Sequence, residues 1–132
     1  AEAVQPIQPD LYYDDAVINI RGLRLRTFIG FNPEEIAKQQ DVVIDARIEY
    51  RAELACGSDN EANALNYKTI TKALIQHVEG GKFRLLEKLT ADLLYIILTQ
   101  PEVSKAQVTV DKPNALRFSD SVAITLGASR RA

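Results

Sequence analysis

Over 16–29 and again over 41–51 the apolar residues recur at every second position, and in the first stretch the rhythm slips by one step at a glycine. Ile18 and Ile20 are apolar at even positions, with Asn19 and Arg21 between them. After Gly22 the apolar set moves to Leu23, Leu25 and Ile29, with Thr27 among them, and Arg24 and Arg26 take the even positions. Successive side chains of a strand point to opposite faces, so an uncorrected slip would turn the whole apolar set outward. One extra residue beside a glycine restores the apolar side, which is the work of a β-bulge. The pattern predicts a long, half-buried strand over 16–29 with a bulge at Arg21–Gly22. Residues 30–40, GFNPEEIAKQQ, read as a polar loop or a helical turn. Alternation resumes from Asp41 to Arg51. Val42, Ile44, Ala46, Ile48 and Tyr50 face one way; Asp41, Asp45, Arg47, Glu49 and Arg51 face the other, with Val43 the apolar exception. The two strands are expected to pair antiparallel.

The period then changes. Gly57, Ser58, Asp59 and Asn60 make 52–64 read as an irregular connection. Ile70, Leu74 and Val78 recur at helical spacing, with Asn66 as N-cap and Gly80–Gly81 as the stop. A second helix is expected from about Leu85 to Leu98, with Leu86, Leu89, Leu93, Ile96 and Ile97 inward and Pro101 beyond its end. Lys105–Asp111 alternates through Ala106, Val108 and Val110, and Pro113 is expected to break that strand. Ser119–Leu126 is the last strand, with Val122, Ile124 and Leu126 inward. The fold class is therefore α+β in the order β-β-α-α-β-β: a four-stranded antiparallel sheet with two helices on one face. Its other face would carry Arg24, Arg26, Asp45, Arg47, Glu49, Gln107 and Thr109, meeting solvent or lining a wet channel in an assembly. Open sheet edges invite pairing with further copies of the chain. Residues 1–15, with Pro6 and Pro9, read as a flexible N-terminal extension. Residues 16–127 form the domain, and 128–132 a short tail.

Composition narrows the chemistry. In 132 residues, 16 Lys and Arg face 18 Asp and Glu, a net charge of −2, which supplies no electrostatic reason to bind nucleic acid. No apolar run is long enough to span a membrane, and the first residues lack the pattern of an export signal, so a cytoplasmic location is expected. A single His77 and a single Cys56 cannot build the usual His and thiolate zinc site or an internal disulfide. Any catalysis has to use carboxylates, Lys, Arg, Tyr and backbone groups.

Four positions stand out by where they fall. Lys112 sits at a strand end beside Pro113, where it either points into a cleft or is simply solvated. Glu87 falls in the first turn of the second helix, where the helix dipole favours an acid whatever its function. Tyr67 opens the first helix, placed to pack or to stack on a ligand. Glu34 and Glu35 form an acidic pair in the loop after Gly30. The GGK of Gly80–Lys82 does not complete a phosphate-binding P-loop.

The segments LRLRTFIGFNPEE (23–35), ALNYKTITKALIQHVE (64–79), FRLLEKLT (83–90) and VDKPNALRFSDSVAITL (110–126) resemble the dihydroneopterin aldolase superfamily. LNY, LLEK and DKP together are specific to it, and RLRTFIG and ALRFSDSV are similar to its dihydroneopterin triphosphate epimerase branch. The likeness covers about residues 16–127. It implies a tunnelling fold (T-fold), in which sheets of four subunits close into a barrel and two rings stack as a homo-octamer, with active sites between subunits. It implies a small-molecule pterin substrate, no cofactor and no metal, and neither a nucleic-acid nor a membrane partner. By the same resemblance Glu87 anchors the pterin, Leu86 adds backbone contacts, and Tyr67 from a neighbouring chain stacks and moves protons. Lys112 is the catalytic lysine and Glu35 an acid near the substrate side chain. Arg24, Arg26, Arg117 and Lys68 are its candidates for holding the triphosphate. The implied reaction inverts one side-chain carbon of dihydroneopterin triphosphate, giving dihydromonapterin triphosphate by retro-aldol cleavage and re-addition. Two other readings share these residues: an aldolase releasing hydroxymethyl-dihydropterin and glycolaldehyde, and a non-enzymatic oligomer that binds a pterin or purine.

Overall fold

A computed structural model describes residues 11–130. Most of the N-terminal extension therefore lies outside the described residues. Of the part within them, Asp15 accepts a hydrogen bond from Ser104 Oγ at 2.7 Å.

Strand β1 (Ala16–Ile29) leads through a five-residue helix α1 (Pro33–Ala37) to β2 (Gln40–Tyr50). The two are antiparallel, with Ile20 opposite Ala46 and Leu23 opposite Ile44. Arg21 and Gly22 thus share the single partner position of Asp45, as a bulge requires. Gly22 adopts φ +68°, a conformation in which any Cβ is strained, and its N–H donates to Asp45 Oδ1 at 2.7 Å. The bulge keeps Ile18, Ile20, Leu23 and Leu25 on one face of the sheet.

The connection after β2 is more regular than expected. It forms helix α2 (Glu53–Ser58) and a 3₁₀ turn at Glu61–Asn63. Polar side chains close it locally: Ser58 Oγ donates to Leu54 O at 2.7 Å, and Asn60 Oδ1 accepts from Ala62 N at 3.0 Å. Helix α3 (Tyr67–Glu79) starts at the expected cap, where Asn66 Oδ1 accepts from Thr69 N at 3.0 Å. A two-residue strand β3 (Lys82–Phe83) pairs parallel with Phe28–Ile29 of β1. Helix α4 (Leu86–Leu98) follows, then β4 (Val103–Pro113) and β5 (Ser121–Ser129).

The sheet order is β3-β1-β2-β4-β5. The expected antiparallel four-stranded sheet is present and gains β3 at one edge, a strand too short to show any alternation in sequence. Pro113 does not break β4; it is the last paired residue, opposite Ser121, at a strand end where its missing N–H costs little. Strand β5 runs past the expected end at Leu126, because Gly127 and Ala128 continue the ladder opposite Gln107 and Ala106. Leu126 is on the inward side but stays 38% exposed, since β5 is an edge strand with less helix above it.

Helices α3 and α4 cover one face. Ile70, Leu74 and Val78 of α3 and Leu89, Leu93, Leu94 and Ile97 of α4 pack on Val42, Ile44, Ala46, Ile48, Val103, Ala106, Val108 and Val110. Each fully buried aliphatic side chain contributes about 1.5–3 kcal/mol of transfer free energy. Asp92 ties the two helices at the side, accepting from Lys88 Nζ at 2.8 Å and lying 2.8 Å from His77 Nε2. Burial opposes ionisation of Asp92, but these two partners outweigh it and hold the carboxyl below its ordinary range. The uncovered face carries Arg24, Arg26, Asp45, Arg47 and Gln107 exposed, with Glu49 and Thr109 half-buried, as the alternation predicts. Among the described residues no helix is long and apolar enough to cross a membrane.

Candidate active site

One end of the sheet gathers the polar groups. The C-terminal end of β1, the start of β2 and the end of β4 meet there, closed by α1 and β3. Gly30 ends β1 at φ +127°, and its N–H donates to Phe83 O at 2.9 Å. Its lack of a side chain is required: a Cβ here would run into the Glu35 carboxylate. Helix α1 then aims Glu35 back over the glycine. Asn32 caps the helix by accepting from Glu35 N at 3.2 Å, and Pro33 supplies a preset first position. Glu34 remains exposed while Glu35 turns inward.

Lys112 lies on the apolar side of β4, in line with Ala106, Val108 and Val110, and is buried. Its Nζ donates to Glu35 Oε2 at 2.6 Å. The hydrogen bond from Lys112 is the chief reason the Glu35 carboxyl sits below its ordinary value of 4.5; burial opposes it, and the charge of Lys112 and contacts from Asn32 and Gln40 add to it. Gln40 also donates from Nε2 to Ile29 O at 2.6 Å, bracing the same corner. The sequence left Lys112 open between cleft and solvent. Its burial and its carboxylate partner exclude the solvated alternative, because a buried ammonium without an anion would be unstable.

A cleft of about 230 Å³ opens beside this pair, lined by Phe28, Gly30, Glu35, Ile36, Lys82, Phe83 and Arg84. Strand β3 forms one wall. It is held by Thr27 Oγ1, which is buried and donates to Gly81 O at 3.2 Å. Gly81 has no side chain to block the Phe83 ring, which folds back against it. Just beyond β3, Leu86 is half-buried and Glu87 exposed in the first turn of α4. No side chain caps this helix start, so its first N–H groups remain open to ligand or water.

Tyr67 and Lys68 are not gathered here within one chain, and Arg24 and Arg26 line a separate cavity with Asp41, Glu79 and Pro113. Tyr67 begins α3 and is 50% exposed. The helix rises about 18 Å from Tyr67 to Glu79, and it is the Glu79 end that is tied through Gly81 to Thr27. Tyr67 and its neighbour Lys68 thus stand at the far end of α3. Arg24 is exposed on the uncovered sheet face. Arg26 is already engaged, by Asp41 Oδ1 at 2.7 Å and Gln39 O at 3.1 Å. Arg117 lies in the β4–β5 connection with its guanidinium 5.3 Å from the Phe118 ring. Reading the sequence alone missed Gly30 and Gln40 as supports of Glu35, and Lys82 and Arg84 as walls of the cleft. Lys82 stood in the discounted GGK, and Arg84 in the FRLLEKLT segment without a role. Among the described residues no three His, Cys, Asp or Glu side chains are grouped to hold a metal ion.

The geometry meets its counterpart in known proteins. A model of the FolB (dihydroneopterin aldolase) family matches residues 18–127. The chain belongs to this family. The FolB structure from Vibrio cholerae O1 superposes with a TM-score of 0.82 at 27% identity, over 87% of this chain and 98% of that one. The architecture is accordingly the T-fold, with its helices on one face of the curled sheet. Higher identity is found elsewhere in the family. The dihydroneopterin triphosphate 2'-epimerase of Escherichia coli K12 is 51% identical over 115 residues, covering 87% of this chain and 96% of the relative. The enzyme of the same description from Pseudomonas aeruginosa is 50% identical, covering 87% and 94%.

Proposed function

We propose that the chain is a dihydroneopterin triphosphate 2'-epimerase, inverting one carbon of the pterin side chain by retro-aldol cleavage and re-addition. The observation that carries this reading is the identity of 50–51% with two enzymes of that description, against 27% with the FolB structure of the same fold. The pairing of buried Lys112 with Glu35, whose carboxylate lines a cleft, supports it chemically.

In this reading Glu87 anchors the pterin, since an ionised carboxylate offers two acceptors to the parallel donors of a ring N–H and an amino group. Leu86 and the open N–H groups of α4 lie beside it. The hydroxyl proton of the side chain passes through water to the Lys112–Glu35 pair. The bond between the first and second side-chain carbons breaks, and its electrons move into the ring C=N, which serves as the sink. The aldehyde fragment turns over, the bond re-forms on its other face, and the proton returns. Acid–base assistance of this kind contributes about 10²–10⁴-fold. Tyr67 acts from a neighbouring subunit, in a homo-octamer with shared sites.

The test is to incubate the protein with dihydroneopterin triphosphate and with unphosphorylated dihydroneopterin, and to separate the products. Dihydromonapterin triphosphate is the expected main product. Accumulation of hydroxymethyl-dihydropterin would make the chain an aldolase instead. Tight pterin binding with no turnover would make it a binding protein.

A further inference from the structure

The epimerase reading leaves one part of the substrate without a holder. The triphosphate ester is attached one carbon beyond the carbon that is inverted, so its donors must stand close to Lys112 and Glu35. The basic residues expected from the sequence do not line the Glu35 cleft within the chain. Arg26 is spent on Asp41 and Gln39, Arg24 lies with it in a separate cavity beside Pro113, and Lys68 stands at the far end of α3. Arg117 lies over the ring of Phe118, a residue that is 94% exposed.

Two other cations, Lys82 and Arg84, share that cleft with Glu35. The charge of Glu35 is already answered by Lys112 at 2.6 Å, so the cleft carries an excess of positive charge from these two residues. Neither forms an ion pair among the described residues, and the Lys82 ammonium sits 5.2 Å from the centre of the Phe28 ring. Their backbone is held on both sides, by the parallel pairing with Phe28–Ile29, by Gly30 N–H on Phe83 O, and by Thr27 on Gly81. Two unpaired cations on a fixed support are suited to a polyanion, because little ordering is required when it binds. A lysine offers a point charge and an arginine a planar fork, and both recognise phosphate oxygens.

We infer that Lys82 and Arg84 form the triphosphate subsite and set the preference for phosphorylated over unphosphorylated pterin. This rests on the epimerase reading and extends it. The test compares the unaltered protein with the Lys82→Gln/Arg84→Gln double variant, using kcat/KM for both pterins and calorimetric binding of inorganic tripolyphosphate. The expected result is that the ratio of kcat/KM for the phosphorylated over the unphosphorylated substrate falls about tenfold or more. Tripolyphosphate, which binds the unaltered protein and weakens as salt is raised, should bind the variant at least about tenfold less tightly. An equal loss on both substrates, or equal tripolyphosphate binding to both proteins, overturns the subsite. If the unaltered protein turned over neither pterin, the epimerase reading would fall, while tripolyphosphate binding lost in the variant would still support the anion site.

Discussion

Glu35 and Lys112 are 77 positions apart in sequence and 2.6 Å apart in space. Their meeting depends on small local facts: a glycine without a Cβ under the carboxylate, an asparagine cap that starts α1, and a strand parity that turns Lys112 inward. Because the native carboxyl is held below its ordinary value, its contribution to stability is fully present above about pH 4.5. It is lost as pH falls through the lowered native value. Glu35→Gln should therefore be less stable than the unaltered protein at neutral pH, with the gap closing on acidification below about 4.5. Urea unfolding at a series of pH values measures this, and a gap of constant size would refute it. Position in the loop marked Glu34 and Glu35 together, and only the family resemblance preferred Glu35. Only the helical turn of α1 sends one to Lys112 and leaves the other exposed.

Strand β1 is the element on which the register of the sheet depends. Gly22 has open space around its missing Cβ, so the objection to a side chain there is the backbone conformation alone. Gly22→Ala should cost about 1–2 kcal/mol, the strain of an L-residue in the left-handed region. Gly57 lies within helix α2, also has open space, and has no positive φ. Gly57→Ala should be neutral or stabilise by up to about 1 kcal/mol, through helix propensity and a less free unfolded chain. Chemical denaturation of both variants distinguishes the cases, and equal effects would refute the assignment of strain to the bulge. The bulge was readable in the sequence because a parity change is a periodic signal. Strand β3 was not, since two residues have no period, and it is held by pairing with β1 and by Thr27.

At the scale of the whole molecule, one chain brings Lys112, Glu35 and the start of α4 to one end while Tyr67 stands about 18 Å along α3. Sites shared between subunits would unite them. Two inactive variants, Tyr67→Ala and Lys112→Ala, should then recover part of the activity when co-assembled, because some mixed sites receive an intact residue from each chain. Co-refolding followed by an activity assay measures this, and silence of the mixed assembly would place each site within a single chain. The sequence by itself determined the two layers, the order of the four long strands and two long helices, the bulge and the polar sheet face, because hydrophobic periodicity is written locally, residue by residue. It also singled out Lys112 and Glu87 by their places in the pattern, while their expected roles and the choice of Glu35 came from the family resemblance. Only the tertiary structure decided which acid meets Lys112, that Arg26 is already engaged, and that Lys82 and Arg84 wall the cleft. Those outcomes depend on distances between residues remote in the chain, which are set by how the layers pack and which no local period encodes.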